Sequence, residues 1–332
     1  MTPKHPDEAA QTEEACRGQF ATVPDQPDAA SLHGLVLMEQ GRLAEAAAAL
    51  RRAIELRPAF PEACYNLGNA LRAQGKLDEA ADSYRRAIAL RPELAEAHNN
   101  LGSTLQDLAQ PEAAAGCYRR ALAIRPAYAE AHYNLGNALQ DLGRPEAAIE
   151  SFRQALALRP DVPDIHNNLG KAYQDLGRLE AAMASFQGAL AVQAEDAKAH
   201  WNIALLQLLR GDFARGFVGY EWRWPLRISR PRDFAQPAWD GAPFPGRRLL
   251  LHAEQGFGDS IQFIRYLPQV AALGGEVVVE CPTALVRLFK ALPGIAEVVA
   301  NGAILPAFDL HAPLMSLGRL LGTTLATIPA AV

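Results

Sequence analysis

The chain has 332 residues, 49% of them apolar, and a formal net charge of -5. This length allows a repeat array and one further small domain. The negative balance argues against binding to a nucleic-acid backbone, and no apolar run approaches the roughly 18 residues of a membrane span. We therefore predict a cytoplasmic protein with no nucleic-acid partner and no membrane partner.

Residues 1–26 are predicted to be a disordered acidic tail. Acidic residues outnumber basic ones there, and no apolar run of the kind that marks a signal peptide is present. The four cysteines of the chain lie far apart, without a C-x-x-C pair. We therefore expect reduced thiols, and the sequence predicts no metal site and no cofactor.

From residue 27 a pattern recurs every 34 residues, in units that start at 27, 61, 95, 129 and 163. Small residues at unit positions 8, 20 and 27 allow two helices to approach closely, and an aromatic side chain at position 24 fills the gap between them. Proline at position 32 ends the second helix. Position 8 is glycine throughout: Gly34, Gly68, Gly102, Gly136 and Gly170. These motifs resemble the tetratricopeptide repeat, which implies an α-solenoid, a superhelix of paired helices, in about six units over residues 27–226.

Position 6 is asparagine in five successive units, although asparagine is a poor helix former: Asn66, Asn100, Asn134, Asn168 and Asn202. Packed helices lie about 8 to 10 Å apart and an extended peptide advances about 3.3 Å per residue, so one asparagine would meet roughly every third peptide residue. Each amide could then bind peptide backbone groups as donor and acceptor. The row is similar to the asparagine ladder of the O-GlcNAc transferase family, which implies peptide binding in the concave groove of the superhelix. The alternative is that the asparagines bond to neighbouring helices and stiffen the stack.

Acidic residues follow the same predicted face. Position 13 supplies three aspartates, Asp107, Asp141 and Asp175, and position 2 supplies four acids, Glu62, Glu96, Glu130 and Asp164. A groove lined in this way favours protein or peptide segments that are basic or neutral, and should bind them less tightly as salt rises. The alternative is that the acids at position 2 complement the helix N-terminus and are solvated.

Position 4 carries a cysteine and then four histidines: Cys64, His98, His132, His166 and His200. A metal ladder would need two ring nitrogens at about 2 Å from one zinc ion. Neighbouring repeats place these rings roughly 8 to 10 Å apart. We therefore predict that these side chains pack between helices.

The composition changes after residue 200. All four tryptophans fall between Trp201 and Trp239, interleaved with arginines, and prolines follow. Basic residues among aromatics can indicate nucleic-acid binding. We favour a junction over residues 227–246, because aromatics and long arginine stems can cover the apolar end of a solenoid.

From Arg247 the hydrophobic pattern becomes that of buried strands. We predict strands at 249–253, 276–280, 297–300 and 308–311, with helices at about 260–273 and 282–292 between them. This alternation predicts a parallel sheet, whose ligands approach the carboxyl ends of the strands. Residues 247–332 are therefore predicted to be a small, incomplete Rossmann-like α/β domain.

One loop follows the first predicted strand. Gly256 and Gly258 permit a tight turn there, and Asp259 is placed to cap the helix that begins at Ser260. The stretches 220–224, 251–259 and 261–268 resemble bacterial tetratricopeptide proteins that carry a glycosyltransferase-like carboxyl domain, and the turn is similar to one in the heptosyltransferase family. The resemblance implies a catalytic base at Asp259, with His311 and His252 on the same rim, and a substrate loop of Gln255, Gly256, Gly258 and Gln262. The alternative is that Asp259 only caps its helix.

Two functions remain open from the sequence. In the first, the chain is a protein-interaction scaffold attached to a partial glycosyltransferase-like lobe. In the second, it is the acceptor-recruiting part of a protein or glycan glycosyltransferase. The resemblance implies a second lobe that binds a nucleotide-sugar, and residues 247–332 supply only the first. A nucleotide-sugar is therefore expected as a partner only if a second lobe is supplied.

Overall fold

A computed structural model describes residues 26–254 and 256–329. These residues form two compact units that meet in the sequence between Arg178 and Leu179. The predicted acidic tail, apart from Gln26, lies outside the described residues, and so does Gln255 of the predicted substrate loop. The part of the chain that the structure describes contains no helix long and apolar enough to cross a membrane.

Over its described residues, the first unit consists of four successive pairs of helices and a ninth helix that follows them. The first helix of each pair also contacts the first helix of the next pair. The helices are α1 Pro27–Glu39, α2 Leu43–Leu56, α3 Pro61–Ala73, α4 Leu77–Leu90, α5 Ala95–Asp107, α6 Pro111–Ile124, α7 Ala129–Asp141, α8 Pro145–Leu158 and α9 Pro163–Asp175.

Glycine at unit position 8 is required by close packing within each pair. A Cβ atom added to Gly68 would lie 2.6 Å from the Tyr84 ring, and one added to Gly102 would lie 2.6 Å from the Tyr118 ring. Both tyrosine side chains are fully buried. The prediction that a small residue at position 8 makes room for an aromatic residue at position 24 is therefore confirmed.

The second unit begins with further helices: α10 Leu179–Val192, α11 Ala197–Leu209 and α12 Phe213–Gly219, followed by a 3₁₀ turn at Tyr220–Arg223. The Asp196 side chain caps α11 by accepting a hydrogen bond from the Ala199 amide at 2.7 Å. The helix-turn-helix expected for the sixth repeat is therefore present, with a short second helix.

The remainder of the second unit is built on a parallel sheet of four strands, β1 Arg248–His252, β2 Glu276–Cys281, β3 Glu297–Ala300 and β4 Leu310–Pro313. The strand order is β3-β2-β1-β4. The predicted parallel sheet is confirmed, although the fourth strand starts two residues later than expected. Leu249 and Leu251 face a large apolar core, whereas Leu250 faces a smaller cluster on the opposite side of the sheet.

The helices between the strands are shorter than predicted. They are α13 Phe257–Ile264, α14 Leu267–Ala271 and α15 Val286–Phe289, and a further short helix, α16 Leu317–Leu320, follows the last strand. The helix expected over 260–273 is interrupted because Pro268 has no amide hydrogen to donate to the Ile264 carbonyl. The helix expected over 282–292 is divided into a 3₁₀ turn at Thr283–Leu285 and the single turn of α15.

Candidate functional site

The asparagines at unit position 6 lie half-buried on the first helices of the repeats. The Asn100 amide nitrogen donates to the Tyr65 hydroxyl at 3.1 Å and to Asn69 Oδ1 at 2.9 Å, both on the preceding first helix. Asn69 Oδ1 also accepts a hydrogen bond from the Tyr84 hydroxyl at 2.7 Å. Both donors of Asn100 are therefore used inside the stack.

The same arrangement recurs two repeats later. The Asn168 amide nitrogen donates to the Tyr133 hydroxyl at 3.1 Å and to Asn137 Oδ1 at 2.8 Å. In the repeat between them, the Asn134 amide nitrogen donates to Asn99 Oδ1 at 3.1 Å. Tyrosine and asparagine thus alternate at position 5, with a period of two repeats.

These bonds change what the row offers to a partner. The amide nitrogens stiffen the stack, as the second of the two interpretations holds, whereas the Oδ1 atoms of Asn134 and Asn168 have no hydrogen-bond donor among the described residues. The row therefore presents acceptors rather than complete amides. Asn66 follows a repeat with Leu32 at the same position and makes no side-chain hydrogen bond within the described chain. Asn202 lies half-buried in the second unit.

The aspartates at position 13 are exposed, and each accepts a hydrogen bond from position 12 of the preceding repeat. The bonds are Arg72 to Asp107 at 3.0 Å, Gln106 to Asp141 at 2.8 Å and Gln140 to Asp175 at 3.5 Å. Only the first of these partners is charged. Asp141 and Asp175 therefore keep their negative charge without a paired cation in these bonds.

Two of the four acids at position 2 are paired with arginines. Arg91 pairs with Glu62 and Arg125 pairs with Glu96, each within its own repeat. Burial acts to raise the pKa of Glu96, but the hydrogen bond from Arg125, a backbone hydrogen bond and the charge of Arg125 together outweigh it and lower that pKa. Glu130 instead accepts a hydrogen bond from the Asn99 amide at 3.0 Å. The charge predicted for this face therefore remains at Glu130 as well as at position 13.

An open depression of about 390 Å³ lies on the same side of α3 and α5. It is lined by Asn69, Arg72, Ala73, Tyr84 and Asp107. Burial raises the pKa of the Tyr84 phenol, so the hydroxyl stays protonated and continues to donate to Asn69. The depression is large enough to receive a side chain of a partner.

The histidines at position 4 are held by the connection that precedes each first helix. The ring Nε2 atoms of His98 and His132 each lie 2.9 Å from a proline carbonyl oxygen six residues earlier, Pro92 and Pro126 respectively. His166 and His200 repeat this bond at 3.1 and 2.8 Å, to Pro160 and Ala194. The rings are therefore structural, as predicted. No group of three or more metal-binding side chains occurs within residues 26–254 and 256–329.

In the second unit, two histidines predicted to be neighbours on the rim of the sheet do come together. The rings of His252 and His311 have centroids 5.7 Å apart, with Phe234 packed against both. They line a cavity of about 190 Å³ with Arg232 and Arg319. Burial, reinforced by Arg232, lowers the pKa of His252 to about 3, so this ring is neutral at pH 7.

Asp259 is not among the residues that line this cavity. The prediction that Asp259 caps its helix is wrong, because α13 starts at Phe257 with Gly256 at the N-cap and Asp259 falls inside the first turn. Burial, and then the nearby Asp259 carboxylate, raise the pKa of Tyr220 to about 12. Asp259 therefore lies towards Tyr220, while Gln262 is exposed on the same helix.

Sequence reasoning missed a buried charge cluster in this unit. Arg223, whose side chain is 0% exposed, forms a two-pronged ion pair with Glu254 at 3.1 and 3.2 Å. It also binds Glu221 at 2.9 Å and the Ser316 hydroxyl at 2.7 Å. This buried arginine lies just before the predicted Trp/Arg junction of residues 227–246. The only signal in the sequence was the alternation Glu221, Trp222, Arg223, Trp224.

Comparison with proteins of known sequence gives a partial relative. Protein FlbA of Caulobacter vibrioides is 32% identical over 106 residues, which are 30% of this chain. The aligned part is 18% of FlbA, so this chain spans less than a fifth of that protein's length.

Three solved structures share the repeat fold. YrrB, described as a TPR protein with an unusual peptide-binding site, matches with a TM-score of 0.50 and 23% identity over 56% of this chain and 95% of its own. PilF of Pseudomonas aeruginosa matches with a TM-score of 0.54 and 20% identity, over 61% of this chain and 93% of its own. A chain of the APC/C hetero-tetramer Cut9-Hcn1 matches with a TM-score of 0.53 and 19% identity, over 67% and 44% respectively. At these identities the likeness concerns the fold alone.

Family models locate the repeats in the sequence. A TPR repeat model matches residues 34–71, 68–108, 110–143 and 141–177. Two tetratricopeptide repeat models match residues 94–125 and 163–196. These matches end before the parallel sheet, so the resemblance of residues 247–332 to a glycosyltransferase stays a prediction. Residues 34–196 are therefore tetratricopeptide repeats.

Proposed function

We propose that the repeats hold an extended protein segment against the first helices. This proposal rests on a row of side-chain oxygen acceptors, the asparagine Oδ1 atoms at position 6 and the aspartate carboxylates at position 13. These acceptors recur at the spacing of the repeats. Because the amide nitrogens of Asn100, Asn134 and Asn168 already donate within the stack, the free capacity of the row is for hydrogen-bond donors. Backbone amides of a guest segment supply such donors at regular intervals.

The spacing suits an extended segment. First helices about 8 to 10 Å apart would meet every third residue of a chain that advances about 3.3 Å per residue. The solved relative YrrB is described as having a peptide-binding site, which supports this use of the fold.

The charges favour a basic or neutral guest. Asp141 and Asp175 are exposed and bonded to neutral glutamines. A lysine or arginine of the guest would gain a charge-assisted hydrogen bond at either position. Binding should weaken as salt screens these exposed charges.

The test is a peptide-array screen on the full chain, followed by titration of the best basic peptide with the double variant Asp141→Asn, Asp175→Asn. We expect binding to weaken about three- to tenfold and its salt dependence to decrease, because two exposed attractions are removed. The matched control is Asp78→Asn, Glu146→Gln, which removes two exposed acids from the second helices α4 and α8.

The control should bind as tightly as the unmodified chain. Equal weakening by both double variants would show that net charge alone governs binding and would remove the proposed site. A thermal melt of each variant separates loss of binding from loss of folding.

The glycosyltransferase-like function is a second proposal, favoured by the parallel sheet and by the cavity beside His252 and His311. It assigns these residues, together with Asp259, to an acceptor site that needs a second lobe for the nucleotide-sugar. Incubation of the chain with nucleotide-sugars and candidate acceptors tests it. Acceptor-dependent release of free nucleotide, lost in Asp259→Asn, is the result expected only if a complete transferase site forms.

A further inference from the structure

The cavity at the carboxyl ends of β1 and β4 contains polar ring atoms without partners. His252 is 2% exposed, and neither of its ring nitrogens has a hydrogen-bond partner. His311 Nδ1 is also buried without a partner. Both rings line the cavity of about 190 Å³. Buried polar atoms are costly unless they are hydrogen-bonded, so these rings point to a polar ligand.

The lining of the cavity contains two arginines, Arg232 and Arg319, and one acid, Glu221. Glu221 already accepts hydrogen bonds from Arg223 at 2.9 Å and from the Trp224 ring nitrogen at 3.1 Å. Each lining arginine has five N–H donors and uses only part of them.

Behind the lining, the remaining charges are paired. Glu280 on β2 pairs with Arg232, and Glu254 after β1 pairs with the buried Arg223. Arg319 on α16 lies 3.6 Å from Glu221. The acids near the two histidines are therefore occupied, and donors remain on the arginine side.

The two histidines complete an anion site only when one of the rings is protonated. Burial, and then Arg232, lower the pKa of both rings. A hydrogen bond with the Gln236 backbone opposes this shift at His311 and leaves Nδ1 of the neutral ring as an acceptor. A negative charge in the cavity would favour the protonated ring, whose nitrogens are both donors.

We propose that this cavity binds a small oxyanion, the phosphate or carboxylate group of a metabolite, and takes up a proton with it. The anion is held by His252 and His311 on the sheet and by Arg319 and Arg232 at the sides. One water occupies about 30 Å³ of liquid, so a volume of this size accommodates a phosphate with a few waters. The site lies in the second unit and goes beyond the peptide-binding function.

The experiment is a titration of the full chain with inorganic phosphate, sulfate and acetate, followed by the histidine ring resonances in NMR. Calorimetry in two buffers of different ionisation enthalpy gives the number of protons taken up. We expect the His252 and His311 resonances to shift, with uptake of up to one proton per anion. The affinity should rise as pH falls from 8 to 6, by at most about tenfold per pH unit for one proton. The acetate and phosphate arms distinguish a carboxylate site from a tetrahedral one.

The deciding variant is Arg319→Gln, whose side chain is 40% exposed and therefore replaceable without unfolding the sheet. It should weaken anion binding about tenfold or more, since it removes a charged donor. Arg287→Gln, an exposed arginine on α15, is the matched control and should leave binding unchanged.

Two outcomes overturn the proposal. One is unchanged His252 and His311 resonances at about 100 mM phosphate, which is about 100 times a 1 mM dissociation constant. The other is equal weakening by Arg319→Gln and Arg287→Gln, which would mark the binding as non-specific attraction of anions to surface charge.

Discussion

The two units of this chain use polar side chains in opposite ways. In the repeats, hydrogen bonds and ion pairs lie at or near the surface and recur with the 34-residue period, as in the bonds from position 12 to position 13. In the second unit, one arginine, Arg223, gathers Glu221, Glu254 and Ser316 in a buried cluster. The polar bonds of the stack are therefore many and similar, whereas several of those in the second unit are concentrated in one buried cluster.

The largest expected effect is at Arg223. Arg223→Ala leaves the buried Glu254 carboxylate, 1% exposed, without its partner, and such a loss costs about 3–5 kcal/mol. All four tryptophans lie between Trp201 and Trp239, so urea unfolding followed by tryptophan fluorescence reports on the second unit. Arg287→Ala is the exposed control, and a loss below about 1 kcal/mol at Arg223 would contradict the buried cluster.

A second change tests close packing in the repeats. Gly136→Ala would place a methyl group against the Phe152 ring, and overpacking of this kind costs about 1–3 kcal/mol. Gly116→Ala, in the interior of α6, meets no atom within 4 Å and should instead stabilise the helix by about 0.5–1 kcal/mol. Thermal melts followed by far-ultraviolet circular dichroism compare the two. Equal effects of both alanines would argue against the tight contact.

The pH dependence of stability should differ between the units because of His252. Its pKa falls from an ordinary value of about 6.5 to about 3 on folding. The unfolded chain therefore binds the proton first. Stability that is fully present above pH 6.5 is lost as pH falls towards 3, by about 1.4 kcal/mol per pH unit.

Urea unfolding of the second unit between pH 7 and 5, in buffers free of phosphate, measures this slope. The variant His252→Asn should give a flatter profile than the unmodified chain. The same slope in both proteins would show that other groups are responsible.

The smallest expected effect separates two asparagines at the same repeat position. Asn100→Ala removes two hydrogen bonds to the preceding helix, each worth about 0.5–1.5 kcal/mol, and regains roughly 0.5 kcal/mol in helix propensity. Asn66→Ala removes none of these bonds, because positions 5 and 9 of the preceding repeat are Ser31 and Leu35 rather than tyrosine and asparagine. We expect a net loss of about 1 kcal/mol for the first and a slight gain for the second. Identical melting temperatures for the two variants would rule out a stabilising ladder.

The helical pairs could be predicted from the sequence because each unit repeats one packing problem with the same solution. A glycine at position 8 recurs together with an aromatic residue at position 24, and this recurrence predicts the contacts of Gly68 with Tyr84 and of Gly102 with Tyr118. The use of the asparagine amides could not be predicted from position 6 alone. Their acceptors lie at positions 5 and 9 of the preceding repeat. Predicting these bonds therefore required knowing which side chains of two neighbouring helices lie within hydrogen-bond distance.

In the second unit, local patterns predicted the strands and the meeting of two histidines, but not the start of α13 or the buried ion pairs. The apolar run of Leu249, Leu250 and Leu251 indicated a buried strand, and the alternation of such strands with helices indicated a parallel sheet. His252 and His311 do meet at the edge of this sheet. The start of α13 at Phe257 depends on the backbone of Gly256 rather than on the capping ability of Asp259. Arg223 and its ion-pair partner Glu254 are 31 positions apart. No periodic pattern in the sequence predicts a pairing over that separation.

The bond from Arg223 to Ser316 has a consequence for biosynthesis. These residues are separated by 93 positions, and translation adds roughly 5–20 residues per second. For about 5 to 20 seconds the nascent chain must therefore carry a guanidinium group whose hydroxyl partner has not yet been made. Each repeat contacts only its neighbours in the sequence, so the repeats can fold as they leave the ribosome. The buried cluster of the second unit cannot be completed until the turn that contains Ser316 has been synthesised.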